Sequence, residues 1–201
     1  MKLYHSPRSR SVRPRWLLEE VGAPYELVTL DFARGEHKTP EYLRIHPHGA
    51  VPALEDGDLV LIESAAICSY LADKFPAAQL APAVGTAARG RYYQWMHYAI
   101  ATLEPPVLQV FLHTVLLPEA QRSARATEEG RQKSAEAIRA IGGALGSQPF
   151  ILGEQFSAAD ILLGTTLSWA RAFGLLGEHP EVEAYAQRLA ARPAYRRAHT
   201  D

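Results

Sequence analysis

The chain has 201 residues, 47% hydrophobic and 21% charged, an ordinary globular composition with room for one large or two small domains. A formal net charge of −1 offers no basic footprint for nucleic acid or an anionic membrane surface, so a small-molecule partner is expected. The single cysteine, Cys68, excludes an internal disulfide, and no cysteine and histidine cluster has metal-ligand spacing. The N-terminus lacks a signal-peptide apolar region, and no stretch approaches the roughly 18 apolar residues of a membrane helix, so a cytoplasmic protein without a membrane partner is expected.

Residues 2–5 form a short strand candidate, followed by Ser6-Pro7-Arg8-Ser9-Arg10-Ser11, a loop rich in turn formers and positive charge. A helix follows to Val21, with Val12, Trp16, Leu17, Leu18 and Val21 facing inward. Pro14 is tolerated only in its first turn, which places its start at 10–13, and Gly22 ends it. Residues 26–30 read as a second strand, and 31–46 as a polar, irregular region with at most one short helix.

Residues 48–76 carry the densest set of signals. Pro52 cannot donate to a sheet ladder and so belongs at the start of an edge strand or in a turn, where such a proline can be cis. Asp56-Gly57 is a hairpin dipeptide between two strand-like runs. Glu63 and Ser64 then precede a helix over 64–75, with Ala66, Ile67, Tyr70 and Leu71 on one face and Pro76 beyond its end. Cys68 reads as a small apolar residue of that helix.

Residues 76–88, rich in proline and alanine, look like a linker. Beyond it the period is helical throughout. A long helix spans about 86–117, with Pro105 and Pro106 expected to kink or break it. Another covers 123–145 and runs into Gly142, Gly143 and Gly146. Ser157-Ala-Ala-Asp160 is a capping-box signature, with Phe156 and Ile161 at the two staple positions, and a structural role is expected for Asp160. A last helix over 181–191 precedes Arg192, Arg196 and Arg197, which read as a solvated face.

The run Val51-Pro52-Ala53-Leu54, then Glu63-Ser64, then Ala66-Ile67-x-x-Tyr70-Leu71, strongly resembles the glutathione site of the cytosolic glutathione S-transferases, and the likeness extends over nearly all of the chain. It implies an α/β thioredoxin-like N-terminal domain, residues 1–77, plus an all-α C-terminal domain, residues 86–201, contributing a hydrophobic substrate pocket. It also implies a homodimer and glutathione as co-substrate, with no metal. In that family the residue before the cis proline, Val51, pairs with the cysteinyl backbone of glutathione like an added strand. The γ-glutamyl carboxylate meets Ser64 and the helix N-terminus, and Glu63 faces the γ-glutamyl ammonium.

A free thiol with a pKa near ~8.5 is only a few per cent ionised at neutral pH, so the protein must stabilise the thiolate. The loop at 6–11 is where the resemblance puts that group. Ser9 is the first candidate, with Ser11 and Arg10 as alternatives; Ser11 also reads as the helix N-cap, and Tyr4 is a remote candidate inside its strand. His37 and Lys38 are candidates for the glycine carboxylate. His46-Pro47-His48-Gly49 departs from the AsnProxGly common in the family. Tyr98, Phe111 and His113, with Tyr93 and His97, are candidates to meet a hydrophobic electrophile. The competing readings are a thiol oxidoreductase, for which the first loop has no cysteine, a zeta-type isomerase, whose SerSerCys run is replaced by ArgSerArgSer, and a non-catalytic binding module.

Overall fold

A computed structural model describes residues 1–177 and 179–200. The chain divides into two compact units, Met1–Ala81 together with the segment from Ala191, and Pro82–Ala190.

The first unit is built on a four-stranded sheet of order β2-β1-β3-β4, with β1 at Lys2–His5, β2 at Glu26–Thr29, β3 at Ala53–Asp56 and β4 at Leu59–Ile62. Helix α1, Val12–Val21, connects β1 to the parallel β2, a span that a tight turn cannot make. The antiparallel β3 and β4 continue the sheet. Asp56 pairs with Leu59, so the two-residue loop is Gly57-Asp58, one residue later than the dipeptide suggests, with Gly57 in the left-handed region. Both faces of β1 are covered, as its run of buried residues Leu3, Tyr4 and His5 requires. Tyr4 joins Leu30, Tyr42 and Ala53 on one face, where the short helix α2, Pro40–Leu43, supplies Tyr42. Alternation sends Leu3 and His5 to the other face, toward α1, which packs beside α3, Ser64–Lys74. The buried stripe of α3 is Ile67, Cys68, Leu71 and Ala72; it is rotated from the expected one, since Ala66 is exposed and Tyr70 reaches out to donate to Asp56 Oδ2 at 2.6 Å.

Helices α4 and α5, Ala87–Tyr98 and Glu104–Phe111, belong to one unbroken helix, Ala87–Leu116, in the second unit. Pro105 and Pro106 do not break it. The wide turn at Ala99–Leu103, with Glu104 N–H bonded to the Ala99 carbonyl, absorbs the donors that the two prolines lack. One 18-residue window of this helix reaches a mean hydropathy of 1.3, so it is long and apolar enough to cross a membrane, contrary to the expectation that no stretch approaches that length. Its Leu103, Val107 and Val110 are instead buried within the unit, where it packs on the helices α6, Ala124–Leu145, and α7, Ala158–Ala172. Helix α6, Ala124–Leu145, is capped by the Ser123 hydroxyl, which accepts the Ala126 N–H at 3.2 Å, and ends at Gly146. A Cβ at Gly143 would meet nothing within 4 Å, so Gly143→Ala is expected to raise stability by about 0.5–1 kcal/mol, read as a melting temperature higher by roughly 2–3 °C. Helices α7, Ala158–Ala172, and α8, Pro180–Ala190, complete the unit.

The sequence reading assigns everything after residue 86 to the helical half, yet α9, Pro193–Ala198, packs on α1 in the first unit. Trp16 meets Tyr195 edge-on with centroids 4.8 Å apart. Arg192 donates to both carboxylate oxygens of Glu20 at 2.6 and 2.9 Å, and Arg197 donates to Glu19 at 2.6 Å. Arg192 is therefore half-buried in an ion pair, whereas Arg197 is paired and still exposed, as a solvated face would leave it. Adjacent carboxylates on the last turn of α1 pair them.

Candidate functional site

The sheet brings the functional loops to one end. Tyr4, near the exit of β1, pairs with Ala53 at the entrance of β3, and Ala53 pairs with Ile62 at the exit of β4. The loops 6–11, 51–52 and 63–64 consequently emerge side by side. Because β2 runs parallel to β1, with Thr29 opposite His5, the segment carrying His37 and Lys38 leaves from the same end.

The Val51–Pro52 peptide is cis, and the ladder begins only at Ala53, so Val51 lies outside the paired strands. The approach to it is tied down locally. Gly49 N–H bonds the His46 carbonyl at 2.8 Å, the Tyr42 hydroxyl donates to the Ala50 carbonyl at 2.6 Å, and Lys38 Nζ donates to the His48 carbonyl at 2.8 Å. Burial pushes the Tyr42 phenol above its ordinary range and the His46 imidazole below its own. Lys38 thus stands beside the Val51 loop as an exposed cation, while His37 is half-buried and stacks on Phe32 with centroids 4.1 Å apart.

Glu63 has φ +72°, a conformation that costs a non-glycine residue of order 1–3 kcal/mol and is held only where surroundings demand it. It precedes α3 without capping it by side chain, which leaves the first N–H groups of the helix directed outward. Ser64 is buried at the first helical position and its hydroxyl accepts from Arg13 Nη1 at 3.1 Å. Arg13 is only 1% exposed. A guanidinium beneath a helix N-terminus compounds the attraction for an anion.

In the first loop, Arg8 has φ +57° and Ser9 is half-buried. Ser9 Oγ donates to the Ser6 carbonyl at 2.6 Å and lies 2.7 Å from Ser11 Oγ. Ser11 does not cap α1 by side chain; it is fully buried, 2.7 Å from His5 Nδ1. Arg10 is half-buried at the mouth of α1, its carbonyl accepting the Arg13 N–H at 3.2 Å. Tyr4 donates to Glu55 at 3.2 Å, and burial together with that carboxylate pushes its phenol up to about 12, unfit for a thiolate donor. Burial likewise pushes the Cys68 thiol up to about 12, as its packing role requires. Among the described residues no group of three or more His, Cys, Asp or Glu side chains could hold a metal ion.

The electrophile candidates do not converge. Tyr98 borders a cavity of about 530 Å³ lined also by Thr102, Pro105, Pro106, Lys133 and Ala137, and its hydroxyl donates to the Ala137 carbonyl at 3.2 Å. Phe111 instead packs on Phe173, and His113 Nδ1 accepts the Ser123 N–H at 3.3 Å. Tyr93 and His97 are exposed. Sequence reasoning missed His5, Arg13 and Arg15. Only one signal was available for them: Arg13 and Arg15 flank Pro14 in the first turns of a helix whose next residues are apolar.

Residues 1–73 match the glutathione S-transferase N-terminal domain and residues 124–195 the glutathione S-transferase C-terminal domain. Glutathione S-transferase 3 of Zea mays is 31% identical, over 98% of this chain and 92% of its own length. The ternary complex of BphK, a bacterial GST, is 33% identical with a TM-score of 0.87, covering 99% of this chain and 98% of that one. A sphingomonad glutathione S-transferase complexed with glutathione is 32% identical with a TM-score of 0.86, covering 99% and 97%. With identity at this level spread along its whole length and both domains matched in order, the chain belongs to the glutathione S-transferase family.

Proposed function

We propose that this protein binds glutathione at the end of the sheet where the four loops converge, and that the Ser9 hydroxyl holds its sulfur as a thiolate for attack on a hydrophobic electrophile or a peroxide. The observation that carries this is the shared exit of the loops at 6–11, 51–52 and 63–64, set by the pairing of Tyr4, Ala53 and Ile62. Val51 pairs with the cysteinyl backbone, Ser64 and the open helix end receive the γ-glutamyl carboxylate, Glu63 faces the ammonium, and Lys38, with His37 beside it, takes the glycine carboxylate. Ser9 is preferred over Ser11 because it is half-buried while Ser11 is fully enclosed and reaches a ligand only through Ser9. With Cys68 buried and no cysteine in the first loop, a mixed-disulfide oxidoreductase finds no support.

Residues 1–77 act as the glutathione unit, joined by the segment from Ala191, and the helices from residue 86 to Ala190 contribute the electrophile pocket, for which the cavity beside Tyr98 is the supporting feature. A cytoplasmic location and a homodimer are part of the proposal, the homodimer supported by exposed Leu59 and Val60 on the edge strand β4. Sedimentation as a 22.2 kDa monomer would remove the dimer.

The test follows the thiolate absorbance of bound glutathione against pH in wild type and Ser9→Ala. A hydrogen bond to a charged group contributes about 1.5–3 kcal/mol, so the bound thiol is expected near a pKa of ~6.5 in wild type and higher by roughly 1–2 units in the variant, with activity at neutral pH falling about 10- to 100-fold. A low value that survives the substitution transfers the role to Arg10. No binding of glutathione to the wild type would leave a non-catalytic module.

A further inference from the structure

We propose that His5 and Arg15 are positioning residues which, through Ser11, orient the Ser9 hydroxyl for donation to the sulfur of glutathione; the proposal rests on the assignment of Ser9 above. Elementary donor accounting fixes the direction of the chain. Arg15 Nη1 lies 3.3 Å from His5 Nε2, and a guanidinium has no acceptor, so Nε2 takes the bond with its lone pair and the ring proton resides on Nδ1. Nδ1 then donates to Ser11 Oγ across 2.7 Å. At the other end Ser9 Oγ spends its one proton on the Ser6 carbonyl at 2.6 Å, and must accept from Ser11 across 2.7 Å. Each hydroxyl has one proton, and giving the Ser9 proton to its 2.6 Å contact orders the chain: Arg15 to His5, His5 to Ser11, Ser11 to Ser9, Ser9 to the Ser6 carbonyl, with the Ser6 N–H also donating to Ser11 Oγ at 3.2 Å and the longer 3.2 Å approach of Ser11 Oγ to the Ser6 carbonyl left without a proton. The Ser11 N–H at 3.3 Å adds a second donor to Ser9 Oγ.

Two consequences separate this chain from ordinary packing. His5 and Ser11 are both 0% exposed, and enclosing an imidazole and a hydroxyl is costly where apolar side chains would fill the space, so the network serves the end that is only half-buried. That end is Ser9. A hydroxyl oxygen that accepts two hydrogen bonds is a stronger donor through its remaining proton, because successive bonds polarise one another. When a sulfur anion arrives, the Ser9 proton turns from the Ser6 carbonyl to the thiolate while Ser11 continues to hold the oxygen. Arg15 is anchored in turn by donating from Nη2 to the Thr200 carbonyl at 3.0 Å, which ties the chain to the C-terminal segment.

The experiment compares Ser9→Ala, Ser11→Ala, His5→Phe and His5→Asn by the thiolate absorbance of bound glutathione and by calorimetric glutathione affinity. Ser11→Ala and His5→Phe are expected to lower the thiolate fraction at neutral pH on the order of three- to tenfold, with affinity within about twofold of wild type. His5→Asn, whose amide N–H substitutes for Nδ1–H, is expected to restore most of the thiolate, which a merely structural role would not do. Ser11→Ala removes one oxygen and keeps the question answerable if His5→Phe does not fold. A wild-type thiolate fraction in both Ser11→Ala and His5→Phe, with a reduced one in Ser9→Ala, overturns the relay and leaves the proposed function standing. An unchanged thiolate fraction in Ser9→Ala overturns both.

Discussion

Asp160→Ala is expected to destabilise the protein by about 3–5 kcal/mol, lowering its melting temperature by on the order of 10 °C. The carboxylate is 0% exposed and collects four donors: the Ile151 N–H at 2.9 Å and the Tyr185 hydroxyl at 2.6 Å on Oδ1, and the Ser157 N–H at 2.8 Å and hydroxyl at 3.0 Å on Oδ2. Burial raises its pKa, and the four donors pull against that rise. The side chain thereby joins the start of α7, the turn at Ile151 and helix α8. Alanine would leave buried donors on Ile151, Ser157 and Tyr185 without partners, each costing about 1–3 kcal/mol before relaxation or an entering water recovers part of it. Asp160→Asn keeps the shape but turns an NH2 toward donors, so an intermediate loss of roughly 2 kcal/mol is expected. Urea and thermal unfolding decide the matter; a loss below about 1 kcal/mol for alanine would mean the capping box contributes no more than an exposed cap.

The capping box was legible because its information is local: a serine, a carboxylate three residues on, and two apolar flanks at fixed offsets. The same holds for the cis proline, the hairpin and Glu63-Ser64, which together reveal the glutathione half. What escaped was long-range. Arg13 carries no local signal for burial, and its enclosed position depends on Ser64, 51 positions away. Arg15 depends on Thr200, 185 positions away, and Arg192 on Glu20, 172 away. Ser11 misled for a conformational reason. Its backbone is already helical, at φ −67° and ψ −15°, so its hydroxyl is not aimed at the first N–H groups and turns to His5 and Ser9 instead. The prolines at 105 and 106 misled because a helix can widen by one residue per turn where donors are missing, which no propensity encodes.

For Gly49→Ala we expect a loss of about 2–4 kcal/mol in stability and a fall of roughly 10- to 100-fold in glutathione affinity. Gly49 stands at φ +55°, where a Cβ costs about 1 kcal/mol by itself. The larger part is steric. A Cβ there would run into the backbone carbonyl of His37 and approach Cδ and Nζ of Lys38 at 3.0 Å. A lysine tip can swing aside, but the His37 carbonyl cannot move without the turn at Glu36–Lys38, whose Lys38 N–H is bonded to the Gly35 carbonyl at 2.8 Å. The strain therefore passes along 46–50 to Val51, the residue proposed to pair with the cysteinyl backbone. Gly35→Ala supplies the control, since Gly35 has φ +73° but open space around its Cβ. That variant is expected to lose about 1 kcal/mol and to bind glutathione as wild type does, by calorimetry and melting on both proteins. Equal losses in the two variants would assign the whole effect to left-handed backbone; wild-type affinity in Gly49→Ala would detach the 46–50 loop from the glutathione site altogether.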